Sequence, residues 1–205
     1  MGKIAELGPI MKYLSCDRCR LSESRRTVVL GDGHTPADIL FIGEAPGKTE
    51  DLMGLPFVGA SGRVLRKALE AAESSAGCKP TIFITNLLGC RPTDGILGQG
   101  QTREPEQREI SACWQRLQRT EQLVNPKKII ILGKIATGAL RHKFKAAVNL
   151  LHPDYILRQG GLQSTEYRMF VRHITDIFRE VKGVPKITKR NFSRSLKRTF
   201  TKRRK

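Results

Sequence analysis

The chain has 205 residues, 39% of them hydrophobic, with 37 Lys/Arg against 19 Asp/Glu for a net charge of +18, and five cysteines. That length holds one ordinary domain plus an extension. The apolar content excludes a chain disordered throughout, and no apolar run approaches the ~20 residues that span a bilayer. The charge excess points to a polyanionic partner, nucleic acid ahead of an acidic membrane surface. Met1–Glu6 reads as neither a secretory signal nor a myristoylation motif. The odd cysteine count fits a reducing intracellular compartment (cytoplasm, nucleoid or an organelle) better than a disulfide framework.

In chain order, Cys16-Asp17-Arg18-Cys19 is a C-x-x-C near the N-terminus. Ile39–Ile42 reads as a buried strand ending at Gly43, followed by Gly43-Glu44-Ala45-Pro46-Gly47-Lys48-Thr49. Gly47-Lys48-Thr49 is not a phosphate-binding P-loop, because the first glycine is one residue too close. Such a Gly/Pro-rich turn suits either a pocket approached by backbone amides or a structural turn. Gly62–Ala72 has the spacing of an amphipathic helix. A second strand, Thr81–Ile84, ends at Thr85-Asn86. An amide there carries the donor and acceptor that match a pyrimidine edge, and serves equally as a turn or helix cap.

Cys90 and Cys113 stand alone, and Cys78 is the fifth cysteine. A C-x-x-C with two remote cysteines suits a four-thiolate zinc or iron–sulfur site; a thioredoxin-type redox pair is the rival. Glu106–Val124 reads as a helix, Ile129–Leu132 as a strand ending at Gly133, and Lys134–Leu140 as a third helix. The fourth strand, Ala147–Leu151, ends at His152-Pro153. A histidine there is either a donor to a developing anion or a general acid, or a plain surface-loop residue. Continuous apolar strands alternating with helices predict an α/β fold: a three-layer sandwich with a central mostly parallel sheet, trimmed at one edge, plus a basic C-terminal extension. Ligands of such sheets bind beyond the carboxyl ends of the strands.

The charge divides unevenly. Residues 1–181 carry 26 Lys/Arg and 19 Asp/Glu, while 182–205 carry eleven Lys/Arg and no acid. Gly183-Val184-Pro185 marks the break. Residues 1–181 therefore form the body and 182–205 a nucleic-acid-binding tail. The tail reads as a disordered basic arm, or as a helix with Phe192, Leu196 and Phe200 on one face.

Taken together, the motifs resemble those of the family 4 uracil-DNA glycosylases, the iron–sulfur branch of their superfamily. The matching segments are Cys16-x-x-Cys19, Gly43–Gly47, Glu50-Asp51, Gly54–Gly59 with Gly62-Arg63, Ile84–Asn86, Cys90–Pro92, Glu106 leading to Ala112-Cys113, Leu132-Gly133, and His152-Pro153 with Leu157-Arg158. The resemblance implies a [4Fe–4S] cluster on Cys16, Cys19, Cys90 and Cys113, with zinc as the alternative and Cys78 left free. It implies that Gly43 and Glu50 line the base pocket, Phe57 stacks on the extruded base and Asn86 reads its edge. Glu44 and Ala45 would face the scissile bond, and His152 would stabilise the departing uracil. Tyr155-Ile156-Leu157 would match the loop that enters the minor groove, where an apolar side chain acts as a wedge filling the vacated stack; Arg158 and, from the tail, Lys197, Arg198, Lys202, Arg203 and Arg204 would also bind nucleic acid.

The function implied is hydrolysis of the N-glycosidic bond of uracil in single- or double-stranded DNA, with no membrane partner. The alternative is a catalytically impaired glycosylase-fold subunit of a ribonucleoprotein or replication assembly, binding DNA or RNA through the tail. A related enzyme acting on a modified base is a third reading. Three departures from the family motivate the alternatives. The segment between the third strand and His152 is short. Residues 95–101 form a longer Gly/Gln-rich loop, expected to be mobile. Asp154 stands where the family has a small residue, and its carboxylate would oppose DNA phosphates.

Overall fold

The computed structural model of the protein describes residues 8–185. Most of the segment read as a tail, including Lys197, Arg198, Lys202, Arg203 and Arg204, lies outside the described residues.

The apolar runs form the middle of the sheet as strands β2 (Ile39–Gly43), β3 (Ile82–Asn86) and β4 (Lys128–Leu132). Every residue of β2 is buried, as a strand covered on both faces requires. The short strand β5 (Val148–Leu150) runs parallel to β4, and β1 (Asp32–Gly33) pairs antiparallel with β3. The order is β1-β3-β2-β4-β5. The architecture is thus the expected α/β sandwich with a mostly parallel sheet, and one edge is reduced to three residues.

Side chains alternate across β2. Ile39 and Phe41 face helices α4 (Ala60–Ala76), α7 (Pro153–Arg158) and α8 (Thr165–Lys182), packing with Leu65, Ala68, Phe170 and Phe178. Leu40 and Ile42 face α5 (Gln107–Val124) and α6 (Lys134–Leu140), packing with Phe83, Leu117 and Ile131. A third cluster joins the N-terminal helices α1 (Gly8–Met11) and α2 (Leu21–Ser24) to Leu88 and Cys90. The remaining helix, α3 (Lys48–Met53), follows β2.

Helix α8 is absent from the sequence reading, yet its signals are present. Ser164 Oγ accepts the Tyr167 N–H at 3.0 Å, a helix start. The buried residues Phe170, Ile174, Ile177 and Phe178 then recur at helical spacing. No described helix is long and apolar enough to cross a membrane.

At the amino end of the sheet, buried Asp38 accepts the Thr81 N–H at 2.9 Å and pairs with Lys127 at 2.8 Å and Lys182 at 2.7 Å. Burial alone would raise this carboxyl, but the hydrogen bonds from Lys127, Lys182 and Thr81 outweigh it and hold the group well below the usual range. Asp38→Asn is expected to destabilise the fold by about 2 kcal/mol at neutral pH, the scale of hydrogen bonds to a charged group. The advantage of the native carboxylate is fully present above its unfolded-state value near 4 and is lost progressively as pH falls from there toward the depressed folded value. Urea midpoints of the two proteins should therefore converge below about pH 4.

Candidate active site

Strand register assembles the site. Gly43 stands opposite Asn86 at the carboxyl ends of β2 and β3, and Leu132 opposite Leu150 at those of β4 and β5. The Gly43–Gly47 turn, Asn86, Gly133 and His152 therefore emerge side by side, where open α/β sheets bind ligands. They border a cleft of about 1190 Å³, larger than the roughly 300–1,000 Å³ of most small-molecule pockets.

The floor of the cleft is built around Phe57. This bulky residue has φ 52°, a conformation that costs about 1–2 kcal/mol in an L-residue. Several contacts hold it there. The Glu50 carboxylate accepts the Val58 and Gly59 N–H groups at 3.0 and 2.7 Å, and the Arg66 guanidinium donates to the Phe57 carbonyl at 3.3 Å. A Cβ at Gly62 would lie 2.0 Å from that carbonyl oxygen, so only glycine lets α4 pass beneath the loop. Glu50 borders the cleft, but its carboxylate is engaged in fixing the Phe57 loop.

Gly43 is equally constrained: a Cβ there would meet Asn86 Oδ1 at 2.4 Å and Phe57 Cζ at 2.5 Å. The missing side chain lets the ring and the amide meet at the end of the strand. Asn86 is 2% exposed. Among the described residues no hydrogen bond engages its side-chain amide, which opens on the cleft. An unengaged amide at a pocket wall is a reader for a polar edge.

His152 caps α7. Its Nδ1 accepts the Asp154 N–H at 3.1 Å, which places the proton of the neutral ring on Nε2. Burial pushes the imidazole below its ordinary value; the Asp154 carboxylate opposes this and Arg158 adds to it. A neutral N–H donor thus faces the cleft, its ring 6.2 Å from that of Phe57. Gly133 presses on it from behind, where a Cβ would come within 3.0 Å of His152 Cβ. Glu44 and Ala45 line the same cleft. Burial raises the Glu44 carboxyl, with smaller contributions from Glu104 and Asp154.

Two expectations near His152 change. Residues 155–157 lie in helix α7 rather than a loop, and Ile156 is fully buried in the core. Ile156 is therefore unavailable to nucleic acid; Tyr155 and Leu157, 40% and 39% exposed, are the accessible pair. The Asp154 carboxylate is ion-paired with Arg158 one helical turn on, so it does not present a bare charge to phosphates.

The four predicted cysteine ligands gather in the third cluster. Cys90 is buried within it, and Cys16, Cys19 and Cys113 are partly buried against the same cluster. Donors point at the sulfurs: the Gly89 N–H and Arg116 Nε at 3.3 Å from Cys113 Sγ, and Arg25 at 3.7 Å from Cys90 Sγ. Burial pushes the Cys90 thiol up to about 12, against the pull of Arg25, and raises Cys19 as well. Four thiolates in this setting need a compensating cationic centre, so the donor set fits a metal cluster. Among the described residues no three His, Cys, Asp or Glu side chains converge tightly enough for a single ion. Cys78 lies apart, its thiol 3.6 Å from the Phe178 carbonyl oxygen.

Two buried arginines were not anticipated. Arg116, 2% exposed, reaches from Cys113 to the Asn86 and Leu87 carbonyls, the latter at 3.0 Å. It ties the cysteine cluster to the strand end that carries the Asn86 amide. Arg91, also 2% exposed, donates to the Gly98 and Gly100 carbonyls at 2.7 and 2.8 Å and to Thr102 Oγ1 at 2.8 Å. The 95–101 loop, expected to be mobile, is instead fastened by this guanidinium and by the Gly98 N–H to the Ser24 carbonyl at 2.5 Å. Their neighbourhood in sequence gives little warning, because arginine normally reads as surface.

The family model of the uracil DNA glycosylase superfamily matches residues 30–176. A type-4 uracil-DNA glycosylase of Sulfurisphaera tokodaii is 40% identical over 126 residues, covering 62% of this chain and 53% of the relative. That of Saccharolobus solfataricus is 40% identical over 128 residues, covering 62% of this chain and 55% of the relative. That of Thermotoga maritima is 31% identical over 173 residues, covering 76% and 83%. The chain thus spans about half the length of the first two relatives and most of the third.

Proposed function

The chain belongs to the uracil-DNA glycosylase superfamily, on its type-4 branch, and from that premise we propose that it hydrolyses the N-glycosidic bond of uracil in DNA. The observation that carries the reading is the neutral His152, its Nδ1 committed to the Asp154 N–H, sharing one cleft with the unengaged Asn86 amide and the Phe57 ring.

A base stacked in DNA is out of reach, so the nucleotide swings out at a cost of a few kcal/mol. Stacking on Phe57 and two hydrogen bonds to Asn86 offset part of that cost. When the C–N bond breaks, its electron pair leaves with uracil and positive charge grows on the sugar. The His152 Nε2–H donates to the uracil oxygen where negative charge develops, lowering the barrier. Water then adds to the sugar carbon, its second proton passing to the departed base or to solvent. Glu44, in the turn facing the bond, is placed to orient that water and offset the sugar's charge. Tyr155 at the cleft and the exposed Leu157 on the same helix suit the space left by the extruded base.

A [4Fe–4S] cluster on Cys16, Cys19, Cys90 and Cys113 would supply the positive charge the buried thiolates need and fasten the N-terminal segment to the pocket loops; zinc, the alternative by spacing, is disfavoured because the described donors do not converge on a single ion. Affinity for RNA through the basic tail stays part of the proposal and concerns residues outside those described.

Alkali cleavage of uracil-containing single and double strands after incubation with purified protein tests the activity. Strand breaks only at uracil support it, and intact strands from protein loaded with iron overturn it. The pH dependence tests the role of His152. The rate is expected to hold through neutrality and fall on the acid side as the imidazole takes a second proton at Nδ1. Because the Asp154 carboxylate raises His152, Asp154→Asn should move that limb to lower pH in single-turnover profiles. A move to higher pH would contradict the assignment.

A further inference from the structure

From Gln122 to Pro153 the chain carries six Lys/Arg and no Asp or Glu. Lys127 and Lys128 are paired with Asp38 and Glu180. Among the described residues Arg141, Lys143 and Lys145 form no ion pair with an acid, and all three are exposed. They crowd the turn between α6 and β5. The backbone holds that turn in shape, with the Arg141 N–H to the Thr137 carbonyl at 2.9 Å, Lys143 and Phe144 N–H to the Leu140 carbonyl at 2.8 and 2.9 Å, and Ala147 N–H to the Phe144 carbonyl at 3.0 Å. Phe144 packs on Trp114 with ring centroids 5.8 Å apart, and Lys143 Nζ lies 5.1 Å from the centre of the Trp114 ring. The turn is thus a braced platform whose cations point outward.

Its position separates it from the cleft. Helix α6 starts at the carboxyl end of β4 and returns the chain to the amino end of β5, descending roughly 10 Å at 1.5 Å per residue. The platform therefore lies at the end of the sheet opposite His152. The last described helix ends on the same side. Lys182, the last residue of α8, pairs with Asp38 beside the start of β2, and residues 186–205 add ten Lys/Arg and no acid.

We propose that the Arg141–Lys145 turn is a second phosphate-binding surface, taking the backbone of duplex DNA outside the segment held at the cleft. The choice of DNA rests on the glycosylase reading; the choice of a phosphate backbone does not. No large apolar side chain is exposed between Ile135 and Val148, so a lipid surface would find nothing to insert. A protein partner would lack the apolar anchors of an interface core. Cations at a helix C-terminus also favour the helix dipole, but a seven-residue helix does not account for three of them with a further one at Lys134.

The test uses the full-length protein and a uracil-free duplex of about 30 base pairs, so its readout does not depend on base release. The triple variant Arg141→Gln, Lys143→Gln, Lys145→Gln should bind about 10-fold more weakly at 0.1 M salt, with the slope of log K against log salt smaller by about 2 to 3. Uracil release from a short single-stranded oligonucleotide should be unchanged. In the unaltered protein the duplex should protect Lys143 and Lys145 from acetylation. An unchanged slope, or full acetylation of both lysines in saturating duplex, overturns the proposal. Protection by an equal-length RNA duplex but not by DNA overturns the choice of DNA.

Discussion

His152→Ala is expected to slow uracil release about 100- to 1,000-fold, the loss seen when one donor to a developing oxyanion is removed. Binding of uracil-containing DNA should change little, because the histidine strengthens its contact only as the leaving group gains charge. Single-turnover rates and equilibrium binding, measured together, separate the two effects. His152 also caps the short helix α7 by accepting the Asp154 N–H, and losing a cap costs about 1 kcal/mol. A melting shift of a few degrees is therefore compatible with the account. A variant that releases uracil at the native rate is not.

Asn86→Ala should lower kcat/KM for uracil about 100- to 1,000-fold and weaken discrimination between uracil and cytosine. Its amide borders the cleft with no hydrogen-bond partner among the described residues, so the proposed mechanism assigns the uracil edge as its partner. Sites built to hydrogen-bond a substrate edge derive large specificity from that pairing. Asn86→Asp is the sharper probe, since it keeps the size and one acceptor while removing the donor. The ratio of uracil to cytosine release in matched oligonucleotides measures the effect. A variant that loses rate equally on all bases would indicate a structural role for Asn86 at the Gly43–Phe57 contact.

Much of this site was legible because sheet chemistry puts it where strands end. Continuous apolar runs marked β2, β3 and β4, and the residues just past them, Gly43, Asn86 and Gly133, are those the register brings together. The four cysteines singled out by spacing lie in or against one packing cluster of the described residues. Legibility failed where a side chain's direction mattered. Ile156 reads as a wedge in a loop, but α7 turns it into the core while Tyr155 and Leu157 stay outside. Asp154 reads as a repulsive charge, although Arg158 four residues later was the clue to its pairing. Arg91 and Arg116 are harder still. Nothing local distinguishes a buried arginine that satisfies distant carbonyls from a solvated one. Their partners come from loops and strand ends that only the folded chain brings near.

Arg116 gives the cysteine centre a consequence for the cleft. It links Cys113 to the carbonyls of Asn86 and Leu87, so replacing Cys113 is expected to shift the Asn86 amide through this guanidinium. A shift of about 1 Å at a reacting site is enough to cost ~100-fold in rate. The cysteine cluster and the cleft are therefore joined through one buried side chain.

The most direct test is chromatographic identification of the free base released from a uracil-containing oligonucleotide by the full-length protein, run beside His152→Ala. The account predicts free uracil in one-to-one amount with abasic sites, no thymine or cytosine release, and a signal at least 100-fold slower in the variant. Tight DNA binding without free uracil, from protein reconstituted with iron and sulfide, would contradict it.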